Sequence, residues 1–363
     1  MKVLVVGPGA SWSTADVEAG LIDGLQQQGV TVIAYALDGR ISGASRWLHD
    51  AWRRKKKTQP DVPKPSYPDV IYQAGMGALE RALRHQVDAV IIVSGMYLHP
   101  DVVVLMRRAG LTITALLTET PYDLEQELKF AEMCHGVWTP ERTTVARFES
   151  VCPNVSYLPH AWHPLRHTPE PSQDARCADL PHHDVVFVGT GFRERVEWFK
   201  AIDWTDIDLG LYGSWDALGS RDGLRRYVRG KETDNIITAE LYRRAKVGLN
   251  LFRSSKGFGR GAPRLVPGAA ESLSPRVYEL AACGSFFVSD IRSEVAEVFG
   301  DLVPTFKHPT EAAALIRSWL VNDAGRARVA AQLPAKVAES TWRHRAVQVM
   351  TELRSLVARR QVA

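Results

Sequence analysis

The first residues of the chain set a rhythm that the rest repeats. Residues 2–6 (KVLVV) are continuously apolar, residues 11–29 (SWSTADVEAGLIDGLQQQG) place apolar positions at helical spacing and end on glycine, and residues 30–37 (VTVIAYAL) are apolar again. The pattern predicts further helices at 72–86, 99–110 and 121–134, with strands at 87–95 and 111–118 and a short segment, HGVWTP, at 135–140. Near-continuous apolar runs are strands buried on both faces, and the amphipathic segments between them cover those faces, so the sheet is parallel. Right-handed crossovers make such a sheet doubly wound.

Residues 163–183 (HPLRHTPEPSQDARCADLPHH) interrupt the pattern with proline, histidine and polar residues and read as a linker and surface loop. The rhythm then restarts. Strands are expected at 184–191, 206–213, 246–252, 285–290 and 302–306, and helices at 192–202, 235–245, 274–284, 293–300 and 308–322. Residues 334–360 read as one long helix or a kinked pair. The expected organisation is a first Rossmann-like domain over 1–160, a second over 161–337, and a C-terminal helix at 338–363 packing back on the first. Two doubly wound α/β domains would face each other across a cleft, with ligands outside the carboxyl ends of the strands.

Size and composition fit this. A chain of 363 residues suits two domains of ordinary size. A hydrophobic content of 45% with 24% charged residues excludes a disordered chain, and the net charge of +4 says little about partners. The four cysteines show no Cys-x-x-Cys spacing, so neither a zinc ribbon nor a redox pair is indicated, and a reduced, cytoplasmic setting is expected. The opening apolar run is too short for a signal-peptide core or a membrane span, and no later segment is long enough to cross a membrane.

Several stretches carry candidate chemistry. The turn at Gly189, Thr190 and Gly191 follows a strand and opens a helix, so its backbone N–H groups can cradle a phosphate with Arg193 or Arg195 adding charge. Residues 7–14 (GPGASWST), with Gly9 and Ser11, form the corresponding turn of the first half. Either turn could be an ordinary strand–turn–helix connection. Residues 253–268 carry Arg253, Lys256, Arg260 and Arg264 without an acid, as a loop able to close over a diphosphate or as a solvated charged loop. Ser274 and Arg276 stand at the opening of a helix, where a planar guanidinium suits phosphate oxygens; a surface arginine is the plainer reading. Cys283 and Gly284 read as a buried packing residue and a helix stop. Glu119 and Tyr122 lie just past a strand end, and His160 at the domain junction. Glu119 or His160 could act as a general base, or serve as a cap and a hinge. The run Arg53, Arg54, Lys55, Lys56, Lys57, flanked by Trp47 and Trp52, is either a solvated helix end or loop, or a grip for nucleic-acid phosphates beside a stacking ring.

In order, the segments VVFVGTGFRERVEWF, LGLYGSW, ELYRRAKVGLNLFRS and ESLSPRVYELAACGSFFVSDIRSEVAEVF resemble the CgeB-like, glycosyltransferase-family-1-like C-terminal domain of GT-B enzymes, over roughly residues 185–325. The resemblance implies a GT-B glycosyltransferase that takes a nucleotide-diphosphate sugar, UDP-hexose above all, as co-substrate, with no other cofactor and no metal. It also implies that Glu279 bonds ribose hydroxyls and that Glu271, seven residues earlier in the intervening count, faces the sugar or reacting centre. It tilts the stereochemical outcome towards retention. Asp206–Asp208 (DID) resembles the metal motif of GT-A enzymes but reads as a strand-entry loop. The acceptor would be a hydroxyl, with a hydroxylated base in DNA as one candidate that requires base flipping. A non-catalytic protein that binds nucleotide sugars or nucleic acid on the same fold is the alternative.

Overall fold

The computed structural model describes residues 1–10, 15–230, 233–257 and 263–362. The chain divides into two compact units, Met1–Pro159 with Trp342–Ala363, and His160–Thr341. In the first unit the order is β1 (Lys2–Val6), α1 (Ala15–Gln27), β2 (Thr31–Tyr35), α2 (Leu37–Lys56), α3 (Tyr67–His85), β3 (Ala89–Val93), α4 (Pro100–Arg108), β4 (Thr112–Leu116), α5 (Leu124–Ala131), β5 (Gly136–Thr139), α6 (Val145–Glu149) and β6 (Val155–Tyr157). These strands form one parallel sheet in the order β2-β1-β3-β4-β5-β6. Residues 89–93 and 112–116 are buried throughout, as strands covered on both faces must be.

The second unit runs β7 (Val185–Val188), α7 (Arg193–Lys200), β8 (Leu209–Tyr212), β9 (Val228–Gly230), α8 (Asn235–Arg244), β10 (Val247–Asn250), α9 (Pro275–Ala282), β11 (Phe287–Asp290), α10 (Ser293–Phe299), β12 (Thr305–Phe306), α11 (Pro309–Leu320), α12 (Asp323–Ala330) and α13 (Leu333–Lys336). Its sheet is also parallel, in the order β12-β11-β10-β7-β8-β9. The last helix, α14 (Trp342–Val362), returns to the first unit. Two six-stranded parallel sheets with flanking helices make this a GT-B fold.

The return of α14 has a steric cause. A side chain at Gly20 would run into the Trp342 ring, and one at Gly24 would place its Cβ 2.7 Å from that of Ala346. Two glycines one turn apart therefore let α1 and α14 meet nearly backbone to backbone. Trp138 then donates to Glu352 (2.6 Å), and Gln348 to the Tyr157 carbonyl (3.1 Å), fastening α14 across β5 and β6.

One sequence expectation needs correction and two need sharpening. Residues 334–360 are not one helix: α13 and α14 are separated by residues 337–341 and lie in different units. The basic run at 53–57 is the solvated helix end expected of it, closing α2, but α2 itself escaped the apolar pattern because only Leu37 and Ala44 are buried in its 20 residues. Residues 163–183 do run over the surface, with about half of them exposed, but the loop is pinned by the buried His163, His167, Cys177 and His183. This strap is held by α8, whose buried Glu240 accepts from the Ser172 N–H (3.0 Å) while Arg243 donates to the Thr168 carbonyl (2.9 Å). All four cysteines are reduced and buried. Cys283 packs against the end of α9, its thiol pushed up to about 12 by burial, and Gly284 stops the helix at φ +64°.

Candidate functional site at the switch point of the second sheet

In the second sheet the chain order reverses between β7 and β10. Connections leave these neighbours in opposite directions, so their carboxyl ends border a crevice, the place where doubly wound sheets bind ligands. Gly189, Thr190 and Gly191 follow β7 there. A side chain at Gly189 would collide with the Arg276 guanidinium, and one at Gly191 with the Trp215 indole. The glycines are thus required by close approach. Neither α7 nor α9 has a side-chain cap on its first turn, where Phe192 and Ser274 hold the cap positions. Orphan N–H groups at such helix starts attract anions.

Arginines gather round this crevice. Arg276 donates through Nε to the Val188 carbonyl (2.8 Å) and through Nη1 to Asn250 Oδ1 (3.1 Å) and the Leu251 carbonyl (3.2 Å). Arg195 is buried and donates to the carbonyls of Thr190 (2.9 Å) and Leu251 (2.8 Å). Both guanidinium groups stack on Phe187, at 4.7 Å and 5.3 Å from its centroid. Arg253, also buried, lies 4.6 Å from the centroid of Phe192 and donates to the Gly257 carbonyl. Arg292 covers Phe252 and donates to the Ser272 carbonyl (2.6 Å). The arginines therefore staple the loops after β7, β10 and β11 together while concentrating positive charge. Arg193 does not join them: it points to solvent on α7 and pairs with Glu197 (3.2 Å).

Acids sit beneath the cations. Glu279 is buried on α9, and burial raises its carboxyl to about 7 against the pull of Arg276. Tyr242, fully buried beside Glu279 and Arg276, is pushed well above the ordinary phenol range by desolvation. Asp290 is raised to about 6 by burial, although the Phe252 N–H donates to it (3.0 Å) and Arg292, Arg195 and Arg276 oppose the shift. Glu194 accepts from the Ser255 hydroxyl (2.8 Å), tying the basic loop to α7. Ser274 reaches Asn250 Oδ1 at 3.5 Å, and half-buried Glu271 precedes α9 with its carbonyl accepting from the Glu294 N–H (3.4 Å). Residues 258–262, including Arg260, lie outside the described residues.

The first unit has its own switch point, between β1 and β3. Gly9 follows β1 at φ +81°, and a side chain there would meet Tyr97 Cβ at 2.6 Å. Ser11 lies outside the described residues. Glu119 and Tyr122 follow β4 and are half-buried. Glu127 holds their loop, accepting from the N–H groups of Thr118 (3.1 Å) and Glu119 (3.0 Å) and from the Thr120 hydroxyl. Its carboxyl is raised to about 7 by burial, which outweighs these bonds. Glu18, packed under Gly7, is likewise raised to about 7 by burial, with the Asp38 charge adding. His160 is half-buried and opens the second unit. Arg53–Lys57 are exposed at the end of α2, with Arg53 paired to Asp50 (3.2 Å) and Lys56 resting on Trp52, whose indole N–H donates to the Val62 carbonyl (3.1 Å). Trp52 is thus occupied, and Trp47 is exposed.

Sequence reasoning missed Glu18, Glu127, Asn250 and Asp290. Asn250 had a usable signal: a polar amide closing an apolar strand. A cavity of about 410 Å³ lies elsewhere, between the end of α7 and residues 222–227, towards the amino ends of the strands. Its charged wall is already neutralised by the Lys200–Asp222 pair, so it lacks the converging charge of the switch point.

Comparison with known proteins agrees with this architecture. Residues 193–351 match the family model described as glycosyl transferase-like. The GT-B fold recurs in solved structures spanning both units. Sucrose-phosphate synthase from Thermosynechococcus elongatus superposes with a TM-score of 0.65 at 15% identity, covering 99% of each chain. A glycosyltransferase from Rickettsia africae gives 0.59 at 11% identity, over 98% of each chain. Anabaena HepE in complex with UDP-glucose gives 0.59 at 11%, over 97% of this chain and 99% of that one. No curated protein matches the chain in sequence. Among the described residues, no helix is long and apolar enough to cross a membrane.

Proposed function

We propose that this protein is a metal-independent glycosyltransferase that moves a hexose from a UDP-sugar to a hydroxyl acceptor with retention of configuration. The observation that carries the reading is the arginine-built switch point of the second sheet, set between two uncapped helix starts. The diphosphate lies against the turn at 189–191 and the starts of α7 and α9, with Arg276 and Arg253 supplying the charge a metal would otherwise provide. Glu279 accepts from the ribose hydroxyls, and Glu271 faces the sugar. The bond from sugar C1 to the diphosphate oxygen breaks, and one from C1 to the acceptor oxygen forms. The departing diphosphate takes the electron pair and, on the same face, the acceptor's proton. Structures of the same fold bound to UDP-glucose and to UDP-2-fluoro glucose support the choice of donor, and work on trehalose-6-phosphate synthase describes transfer with retention.

The acceptor side is assigned to the first unit's loops at Gly9, Glu119 and Tyr122. A second reading of the acceptor is nucleic acid bearing a hydroxylated base, favoured by the five exposed cations at the end of α2. The test is incubation of the full chain with UDP-glucose and candidate acceptors, scored by UDP release and by the anomeric configuration of the product. Release of UDP with a retained product supports the proposal. An inverted product would move the proton to Glu119 or His160. Binding without turnover on any nucleotide sugar would leave the non-catalytic alternative standing.

A further inference from the structure

We infer that Asn250 is a positioning residue: its side-chain amide sets the direction in which Arg276 presents its guanidinium at the switch point, and thereby the affinity for the donor diphosphate. The inference rests on the donor-site reading above. Asn250 closes β10 and is fully buried. On one side the Ser289 hydroxyl donates to the Asp290 carbonyl (2.9 Å), which leaves its oxygen to accept. The Asn250 amide donates to that oxygen through Nδ2 (2.8 Å). This bond fixes the amide plane, so Oδ1 faces α9 and accepts from Arg276 Nη1 (3.1 Å), with the Ser274 hydroxyl at 3.5 Å. A flipped amide would set donor against donor at the guanidinium and acceptor against acceptor at Ser289.

The other oxygens that hold Arg276 are the Val188 and Leu251 carbonyls, and the buried Tyr242 hydroxyl also bonds the guanidinium. Main-chain atoms cannot be altered by substitution, whereas the amide is a part of the mount that can be. It is also the link between β11 and α9, because Ser289 belongs to the neighbouring strand. A guanidinium held at Nε and Nη1 has no torsional freedom left, and its far edge is delivered over Gly189, where a Cβ would block it. Without the amide, the arginine keeps its charge and loses its aim.

The test is calorimetric titration of the full chain with UDP-glucose, supported by donor and acceptor KM values. Asn250→Leu keeps the volume and removes the acceptor; Asn250→Asp keeps an oxygen for Arg276 and lets the Ser289 hydroxyl rotate to donate to the other. We expect Asn250→Leu to weaken UDP-glucose binding by about tenfold or more, the worth of a charge-assisted hydrogen bond. Asn250→Asp should stay within about threefold of wild type, and acceptor KM should be unchanged in both. In an Arg276→Ala background, Asn250→Leu should add nothing, because the amide acts through the arginine. Should Asn250→Leu fail to fold, Ser289→Ala removes the amide's anchor and should weaken binding in the same direction. Unchanged donor affinity in Asn250→Leu or Ser289→Ala, or losses additive with Arg276→Ala, would overturn the inference while leaving the donor site in place. Wild-type protein that binds no nucleotide sugar would instead sink the donor-site reading itself.

Discussion

The two sheets reverse at equivalent places, but the second adds a cluster of guanidinium groups above its buried acids. At the first, between β1 and β3, the strongly perturbed groups nearby are carboxyls: Glu18 under Gly7, and Glu127 behind the loop that carries Glu119. At the second, between β7 and β10, guanidinium groups from Arg195, Arg253, Arg276 and Arg292 dominate, each stacked on a phenyl ring. One backbone plan thus gives an acid-backed pocket and a cation-backed one. A diphosphate is drawn to the cations of the second, whereas carboxyls kept protonated to about pH 7 give the first no charge to offer it. In the function proposed above, this difference puts the donor diphosphate at the second switch point.

The comparison can be broken most severely at Arg276. Arg276→Ala leaves the Val188 and Leu251 carbonyls and the Asn250 amide without their cationic donor, at a cost of about 3 kcal/mol in stability. Donor affinity should fall by about a hundredfold in the folded fraction, as calorimetry would show. Removing a cation from the first unit, such as Arg53, should leave donor affinity alone.

A smaller effect is expected from Gly191→Ala. The added methyl meets the Trp215 ring, so the turn after β7 must shift, destabilising the protein by about 1–3 kcal/mol on chemical denaturation. The same change at Gly39, where a Cβ meets nothing within 4 Å, should cost less than about 1 kcal/mol.

The acid side is sharpened by pH. Glu127 in the native protein keeps its proton to about pH 7, against 4.5 for the ordinary side chain. The native state therefore binds more protons over that window, and stability falls as pH rises through it. Glu18 and Glu279 act in the same direction. Glu127→Gln removes one contribution, so the decline in denaturation midpoint between pH 5 and 7 should become shallower. A decline as steep in the variant as in wild type would show that Glu127 is not a source of it.

The weakest expected effect lies on the surface. Reversing Lys55, Lys56 and Lys57 to glutamate should change stability by no more than about 0.5 kcal/mol per site, because these side chains are exposed. If the acceptor is nucleic acid, the same change should lower DNA affinity and flatten its salt dependence. UDP-glucose binding should be untouched.

How much of this could be read beforehand follows from the physics of each element. Strands such as β3 and β7 are legible because burial on both faces leaves an unbroken apolar run. β6 and β9, three residues each and at best half-buried, leave no such trace. Glycines at 189 and 191 mark a strand–turn–helix connection in any reading. Arg195, Arg253 and Arg276 were legible as cations suited to phosphate, but not as staples, because the partners of Arg276 lie up to 88 residues away and include main-chain carbonyls. Arg193 and Arg195 are two residues apart and look equivalent in sequence; helix α7 sends one to solvent and the other into the core. Glu18 and Glu127 sit on ordinary-looking amphipathic helices, and nothing in their local sequence reveals the loops they support.

The central claim, that the switch point of the second sheet holds a nucleotide-diphosphate sugar, is tested most directly by a thermal-shift screen of the full chain against UDP-, GDP-, TDP- and CDP-sugars, with Arg276→Ala alongside. At a hundred times its dissociation constant the correct donor should add about 2.7 kcal/mol to wild-type stability. That gain should shrink sharply in the variant, with UDP-sugars giving the largest shift. No shift with any of the four, or an equal shift in wild type and Arg276→Ala, would contradict the account.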